Sequence, residues 1–374
     1  MNTSASPDLL GSGRLISLDA FRGLTIAGMI IVNSPGSWSY VYPPLRHADW
    51  HGITPTDLVF PFFIFIVGVS VVLAYTKRIR AGVSPHSMVA KIIRRTITIF
   101  ALGLLLSAVH GGISPLRVPG VLQRIALVFL VCALLFLYTG WKTQLRVAVG
   151  LLVGYWLAMM LIPVPGIGAG VLEPGQTLAG WIDRVIVPGR LYQGTWDPEG
   201  LLSTLPAIAS GISGMLAGHI VVSSRSQDAK LIWLFAGGFL CFVVGGMWGW
   251  VFPINKNLWT SSYVLYTSGL AALTFAASIW FVDILGYKKW THVWVVFGAN
   301  AITVYVLHGL LYVPLNADLT AGGTHVSVNS VFMGGLMSAG LAAPLVSLLW
   351  AIAYTALCYV PIWILFKRKI FIKV

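Results

Sequence analysis

Acidic residues are scarce in this chain. Eleven Asp and Glu stand against 24 Lys and Arg in 374 residues, and charged residues make up only 9% of the total. A soluble domain carries about a quarter charged residues, so the composition excludes an ordinary water-soluble fold. Cysteine is rare as well. Cys132, Cys241 and Cys358 each lie in an apolar run without C-x-x-C spacing, which reads as buried free thiols rather than a disulfide or metal framework. There is no G-x-S-x-G elbow, and "GIGAG" (166–170) lies in a loop rather than between a strand and a helix, so neither a serine hydrolase nor a Rossmann domain is indicated. No internal repeat stands out. The polar start, residues 1–13, leads into an apolar run behind Arg14 and Arg22 with no small-residue cleavage site, so no cleavable signal is expected.

What the chain does have is apolar surface: 57% hydrophobic residues and a mean hydropathy of +0.85. A membrane-spanning helix needs about 20 apolar residues, and the runs here are too long and too little alternating for barrel strands. The expectation is an all-α polytopic membrane bundle of about ten transmembrane helices, near 18–37, 56–75, 90–109, 121–140, 145–163, 201–222, 231–252, 262–285, 292–313 and 343–366. Residues 1–13 form a polar tail and 14–374 a single transmembrane domain. The stretch 327–342 is either re-entrant or an extension of the last span.

Basic residues orient the bundle. Arg14, Arg22 and the segments "TKRIR", "KIIRR", "WKTQLR", "RSQDAK", "YKKW" and "KRKIFIK" place 18 of the 24 on one side, which the positive-inside rule makes cytoplasmic, with both termini there. The net charge of +13 then reports membrane orientation and contact with the lipid bilayer, not nucleic-acid binding. The opposite loops are rich in Trp, Asn, Gly and Pro. That composition suits either a polyhydroxyl ligand or an aromatic interface belt. The longest, from Pro163 to Glu199, is expected to be functional or partly structured.

Chemistry-bearing residues gather at "LRHADWHGITPTDLVF". His47, Asp49 and His51 have a metal-compatible spacing, but no further His or Cys cluster completes a set, so no metal is expected. His51 reads as structural. His47 can accept a proton near neutral pH, and Asp57 can orient its imidazole. Asp57 can equally cap the helix that follows; both roles stay open. Polar groups inside the apolar runs are costly and face cavities or partners: Asn33, Gln123, Arg124, and Asn300 with His308, which eight positions place on one helix face. His219 and Asp283 sit near inner ends and read as interfacial.

Several stretches carry a resemblance. "RLISLDAFRGLTIAGMIIVN", "HADWHGITPTDLVFPFFIFIVGVS", "RVPGVLQRIALVFL", "LWTSSYVLYTSGLAA" and "GANAITVYVLHG" resemble, in order, the motifs of the heparan-α-glucosaminide N-acetyltransferase family, including its bacterial NagX-like proteins. The resemblance implies transfer of acetyl from cytosolic acetyl-CoA, across the membrane, to a glucosamine-type amine. It implies His47 as the active histidine, with Asp57 and Asn33 in matching motifs; the position of His51 varies in the family. The large luminal domain of the lysosomal member has no counterpart in these residues, which leaves the polymer substrate open. Trp50, Arg117 and Trp259 join Asn33, Gln123, Arg124, Asn300 and His308 as expected substrate or cofactor contacts. Arg78, Arg94 and Arg95 are the candidates for the CoA phosphates. The expected setting is the bacterial inner membrane, and a homo-oligomer is compatible with it. Two rival readings are an amino-sugar transporter without chemistry, disfavoured by the lack of repeats, and a surface-glycan O-acetyltransferase, whose likeness stops at the opening helix.

Overall fold

The computed structural model describes residues 15–317, 319–321 and 324–372. The polar tail 1–13, Arg14 and Lys373 lie outside them. The described chain is helical: α1 (Ile16–Asn33), α2 (Val59–Arg80), α3 (Pro85–Gly111), α4 (Val121–Tyr138), α5 (Trp141–Leu161), α6 (Leu178–Ile186), α7 (Thr204–Val222), α8 (Gln227–Trp248), α9 (Ser261–Ser278, continued by a π turn to Ile284), α10 (His292–Ala299), α11 (Ala301–Asn316), α12 (Val328–Ser338) and α13 (Ala343–Lys367). A short antiparallel ribbon, β1 (Leu319–Ala321) and β2 (Thr324–Val326), is the one sheet among the described residues. Nine of the described helices are long and apolar enough to cross a membrane, ten if the α10–α11 pair counts as one span.

One expected feature differs, and of two alternatives for another, one falls. The span at 292–313 is not one straight helix: α10 and α11 meet at Asn300 with a bend of 83°. Asn300 leaves the helical region (φ −129°, ψ 41°). Its side chain serves the C-terminal tail instead, donating to the Ile370 carbonyl at 3.2 Å and accepting from the Ile372 N–H at 2.9 Å. The stretch 327–342 forms α12, which packs against α13. Its 11 residues reach about 16 Å at 1.5 Å per residue, half a bilayer core. It neither lengthens the last span nor crosses.

Contacts divide the chain into two units, each discontinuous in sequence. The first holds Asp49–Ile53 and Pro61–Tyr287 with the start of α1. The long loop after α5 is partly structured, as expected, and contains α6. Here α2 and α7 cross with their backbones touching: a Cβ on Gly68 would lie 1.9 Å from the Gly211 carbonyl oxygen, and one on Gly214 would lie 1.9 Å from that of Phe65. Small residues are how membrane helices gain close packing where lipid supplies no hydrophobic drive. The second unit holds Asp19–Ala48, Thr54–Phe60 and Lys288–Val374. In it α1 meets α10 at Gly23 and Gly298, and α11 and α12 pack on α13.

Gly214→Val drives a side chain into the α2 backbone, and overpacking of this kind costs about 3 kcal/mol. Gly237→Val enters open space. Thermal unfolding in detergent should show a clear drop for the first and little change for the second.

Candidate active site

The segment between α1 and α2 is built of short turns, Trp38–Tyr40, Pro43–Leu45 and Pro55–Leu58, each nucleated by a capping serine or a proline at its start. This brings His47 back onto Asp57. His47 Nδ1 lies 2.7 Å from Asp57 Oδ1. The Asp57 side chain is 1% exposed and that of His47 is 35% exposed. The other carboxylate oxygen, Oδ2, accepts from the Ala48 N–H, the Thr54 N–H and the Thr54 hydroxyl, each at 3.0 Å. Both roles open in the sequence are therefore filled: Oδ2 reaches back to the residue that starts the Pro55–Leu58 turn, and Oδ1 holds the imidazole. A carboxylate only accepts hydrogen bonds, so Nδ1 is the donor, and in the neutral imidazole the lone pair is the one on Nε2. Thr54 was not singled out in the sequence. Its signal was the T-x-x-D pattern, the same one that marks a helix start. Its single hydroxyl proton is shared between Asp57 Oδ2 and the Arg46 carbonyl at 2.7 Å, which ties the histidine segment to the turn.

In the same unit, Asn33 is exposed at the end of α1. The next residue, Ser34, is fully buried and lies 2.8 Å from His308 Nε2. Tyr354 donates its hydroxyl to the His308 carbonyl. Sequence reasoning missed Ser34 and Tyr354, which sit far from His308 in the chain and carry no motif. Asn300 and His308 do not share a helix face, because Asn300 sits at the break and its amide is taken by the tail.

The remaining candidates belong to the other unit. Trp50 donates Nε1–H to the Leu172 carbonyl at 2.8 Å and meets Trp196 edge-on at 5.0 Å. His51 is exposed, its Nδ1 3.3 Å from the Asn255 amide. Arg117 is engaged by acids: Nε and Nη2 bind both oxygens of Asp197 at 2.8 and 2.7 Å, and Nη2 also binds Glu199 at 2.6 Å. Burial opposes its charge, but these carboxylates outweigh it and raise its pKa above the ordinary value. Arg124 is 1% exposed, lies 5.0 Å from the Trp259 ring centroid, and donates Nη2 to the Gly200 carbonyl and the Ser203 hydroxyl. Its Nε and Nη1, and Nε2 of the neighbouring buried Gln123, have no hydrogen-bond partner among the described residues. Trp259 sits at φ 52°, a left-handed backbone rare for an aromatic residue, and donates Nε1–H to Ser210 at 3.1 Å. Arg78, Arg94 and Arg95 are exposed at the α2–α3 end, Arg78 over Tyr75 and Arg95 over Phe129. His219 lies 2.9 Å from the Gln144 side-chain oxygen, and Asp283 accepts from the Ser17 N–H at 3.3 Å.

These observations define a multi-pass helical membrane protein with a histidine–carboxylate pair set where the chain enters a span. Residues 14–233 match the family described as Heparan-alpha-glucosaminide N-acetyltransferase, catalytic, and the chain belongs to that family. The heparan-alpha-glucosaminide N-acetyltransferase of Mus musculus is 30% identical over 97% of this chain and 61% of its own length. That of Homo sapiens is 30% identical over 96% and 60%. The chain thus spans about 60% of the length of these relatives.

Asp183 on α6 generates a pH prediction. It is 1% exposed, accepts from the Leu201 N–H at 2.8 Å, and burial pushes its pKa from 3.8 up to about 6. The folded state therefore holds a proton that the unfolded chain releases between these values. Stability from this group is full below pH 3.8 and is lost as pH climbs through about 6. The change is on the order of 2–3 kcal/mol. Unfolding followed against pH should show this fall in the native protein, and Asp183→Asn should flatten it.

Proposed function

We propose that this chain is a transmembrane N-acetyltransferase that moves acetyl from acetyl-CoA to the amine of a glucosamine-type sugar. The observation that carries the reading is the 2.7 Å contact between His47 Nδ1 and the buried Asp57 carboxylate. The pair presents a neutral imidazole whose Nε2 can take a proton, with a negative charge behind it to stabilise the imidazolium that forms. The sugar amine attacks the thioester carbonyl. The new N–C bond forms as the C–S bond breaks, His47 Nε2 takes the ammonium proton, and CoA leaves as its thiolate. The imidazolium then returns a proton to the thiolate or to water.

The basic loops support acetyl-CoA entry from the cytoplasm. Arg78, Arg94 and Arg95 are exposed and available for its phosphates, as arginine suits phosphate. The acceptor then enters from the periplasmic face of a bacterial inner membrane. One observation favours a second reading, an amino-sugar transporter: α10–α11 is a broken helix, a feature transporters place at their binding sites. Uptake of glucosamine into proteoliposomes without acetyl-CoA would select it.

His47→Ala should lower acetyl transfer by about 10²–10⁴ while CoA binding persists. Asp57→Asn is the sharper test. An asparagine can turn its oxygen to the three donors now on Oδ2 and its NH₂ to His47. Every hydrogen bond is kept, so the thermal midpoint should stay near that of the native protein. The imidazole proton, however, moves to Nε2 and the base is lost, at a cost of about 10⁴ in turnover by analogy with hydrolase triads. Purified enzyme with radiolabelled acetyl-CoA reads both. Native-like turnover in either variant would remove the dyad from the mechanism.

A further inference from the structure

The two peptide groups that flank His47 are both anchored. The carbonyl of the Arg46–His47 peptide accepts from the Thr54 hydroxyl at 2.7 Å, and the N–H of the His47–Ala48 peptide donates to Asp57 Oδ2 at 3.0 Å. These contacts hold the planes on either side of the His47 Cα, and with them the direction in which the imidazole leaves the chain. Thr54 reaches the acid as well: its N–H and its hydroxyl each lie 3.0 Å from Asp57 Oδ2. The one hydroxyl proton is shared between that oxygen and the Arg46 carbonyl. A single side chain therefore bears on both members of the dyad, on the carboxylate directly and on the histidine through its backbone. Threonine suits the position. Residue 54 is extended, with φ −117° and ψ 167°, and branching at Cβ both favours that backbone and restricts χ1, which keeps the hydroxyl aimed. The same turn also supplies a control. Thr56, 2% exposed, donates its hydroxyl to the Pro44 carbonyl at 3.3 Å. It ties the same two stretches of chain together, but outside both peptide groups of His47.

We propose that Thr54 is a positioning residue for acetyl transfer: its hydroxyl holds the Arg46–His47 peptide against Asp57, so that His47 Nδ1 stays on Oδ1 and Nε2 keeps a fixed direction toward the attacking amine. The inference rests on the acetyltransferase reading for what the dyad does; the hold of Thr54 on His47 can be tested without it. A general base must lie within hydrogen-bond reach of the proton it takes, and a misplacement of about 1 Å at such a group costs up to about a hundredfold. Without the hydroxyl, Asp57 Oδ2 keeps its two backbone donors and the turn stays closed, while the Arg46 carbonyl loses this tie. The loss falls on the aim of the imidazole and not on the presence of the pair.

The test compares Thr54→Val, which keeps the shape and removes the hydroxyl, with Thr54→Ser and Thr56→Val in the full chain, using radiolabelled acetyl-CoA and glucosamine. Thr54→Val should lower kcat about tenfold, the worth of one hydrogen bond to a charged group, with KM unchanged for both substrates. Thr54→Ser should restore most of that loss. Thr56→Val should lower the thermal midpoint and leave kcat in place. In a His47→Ala background Thr54→Val should cost nothing further, because its effect runs through the imidazole; a general loosening would add its own factor there. Native turnover in Thr54→Val, a Thr54→Ser as slow as Thr54→Val, an equal loss in Thr56→Val, or a full loss without His47 would each overturn the proposal. If Thr54→Val does not fold, Thr54→Cys, a near-isostere and weak donor, takes its place. A second readout needs no acetyl transfer. Diethyl pyrocarbonate acylates the free nitrogen of a neutral imidazole, and the exposed His86 serves as reference. Mass spectrometry should show the ratio of His47 to His86 labelling fall several-fold in Thr54→Val and hold in Thr54→Ser and Thr56→Val. If the native chain acetylates no sugar, the acetyltransferase reading falls and this ratio decides: a fall confined to Thr54→Val sustains the hold on His47, and an unchanged ratio rejects it.

Discussion

A carboxylate stripped of water must have its lone pairs met by donors, or the charge is too costly to keep. Asp57 meets that demand within twelve residues of chain. Ala48, Thr54 and His47 supply four donors between them, and all lie on the segment that Asp57 itself helps to close. The arrangement is circular in a useful sense. The turns bring donors to the acid, and the acid holds the turns together. Because one oxygen stabilises the backbone and the other holds the imidazole, the start of α2 and the tautomer of His47 are parts of one local structure.

A second consequence of low polarity appears around residues 197–203. Asp197 binds Arg117 and two backbone N–H groups, and Gly200 offers its carbonyl to Arg124, Ser203 and Thr204. Leu201 donates to Asp183. One short stretch therefore binds two arginines, Arg124 only in part, and the start of α7. Removing either partner of a buried pair would strand the other, which is far more damaging than the pair is stabilising. Arg117 thus acts as a brace for this stretch, with its charge spoken for by two acids. Arg124 differs: it rests on an aromatic face with two nitrogens uncommitted, and it stays the better candidate for contact with a bound molecule.

The spans were legible because length and apolarity alone decide them; α2, α4 and α13 lie close to where hydropathy puts them. The dyad was legible because ten residues separate its members and a T-x-x-D start signal marks the turn. What could not be read were pairings across long separations. Arg117 meets Asp197 eighty positions away, and His308 meets Ser34 at a distance of 274. No local pattern encodes such contacts. The break at Asn300 was hidden for the same reason: its neighbours are apolar and helix-compatible, and the groups that satisfy its amide lie 70 and 72 residues later.

The Asn300 contact also bears on how the protein is made. A membrane protein is inserted from its N-terminus while translation proceeds, so α10 and α11 are in place before Ile370 and Ile372 leave the ribosome. The Asn300 side chain has neither of these two contacts until then, although α1 already meets both arms of the bend. The two contacts of the Asn300 amide therefore form only after α13 has been synthesised.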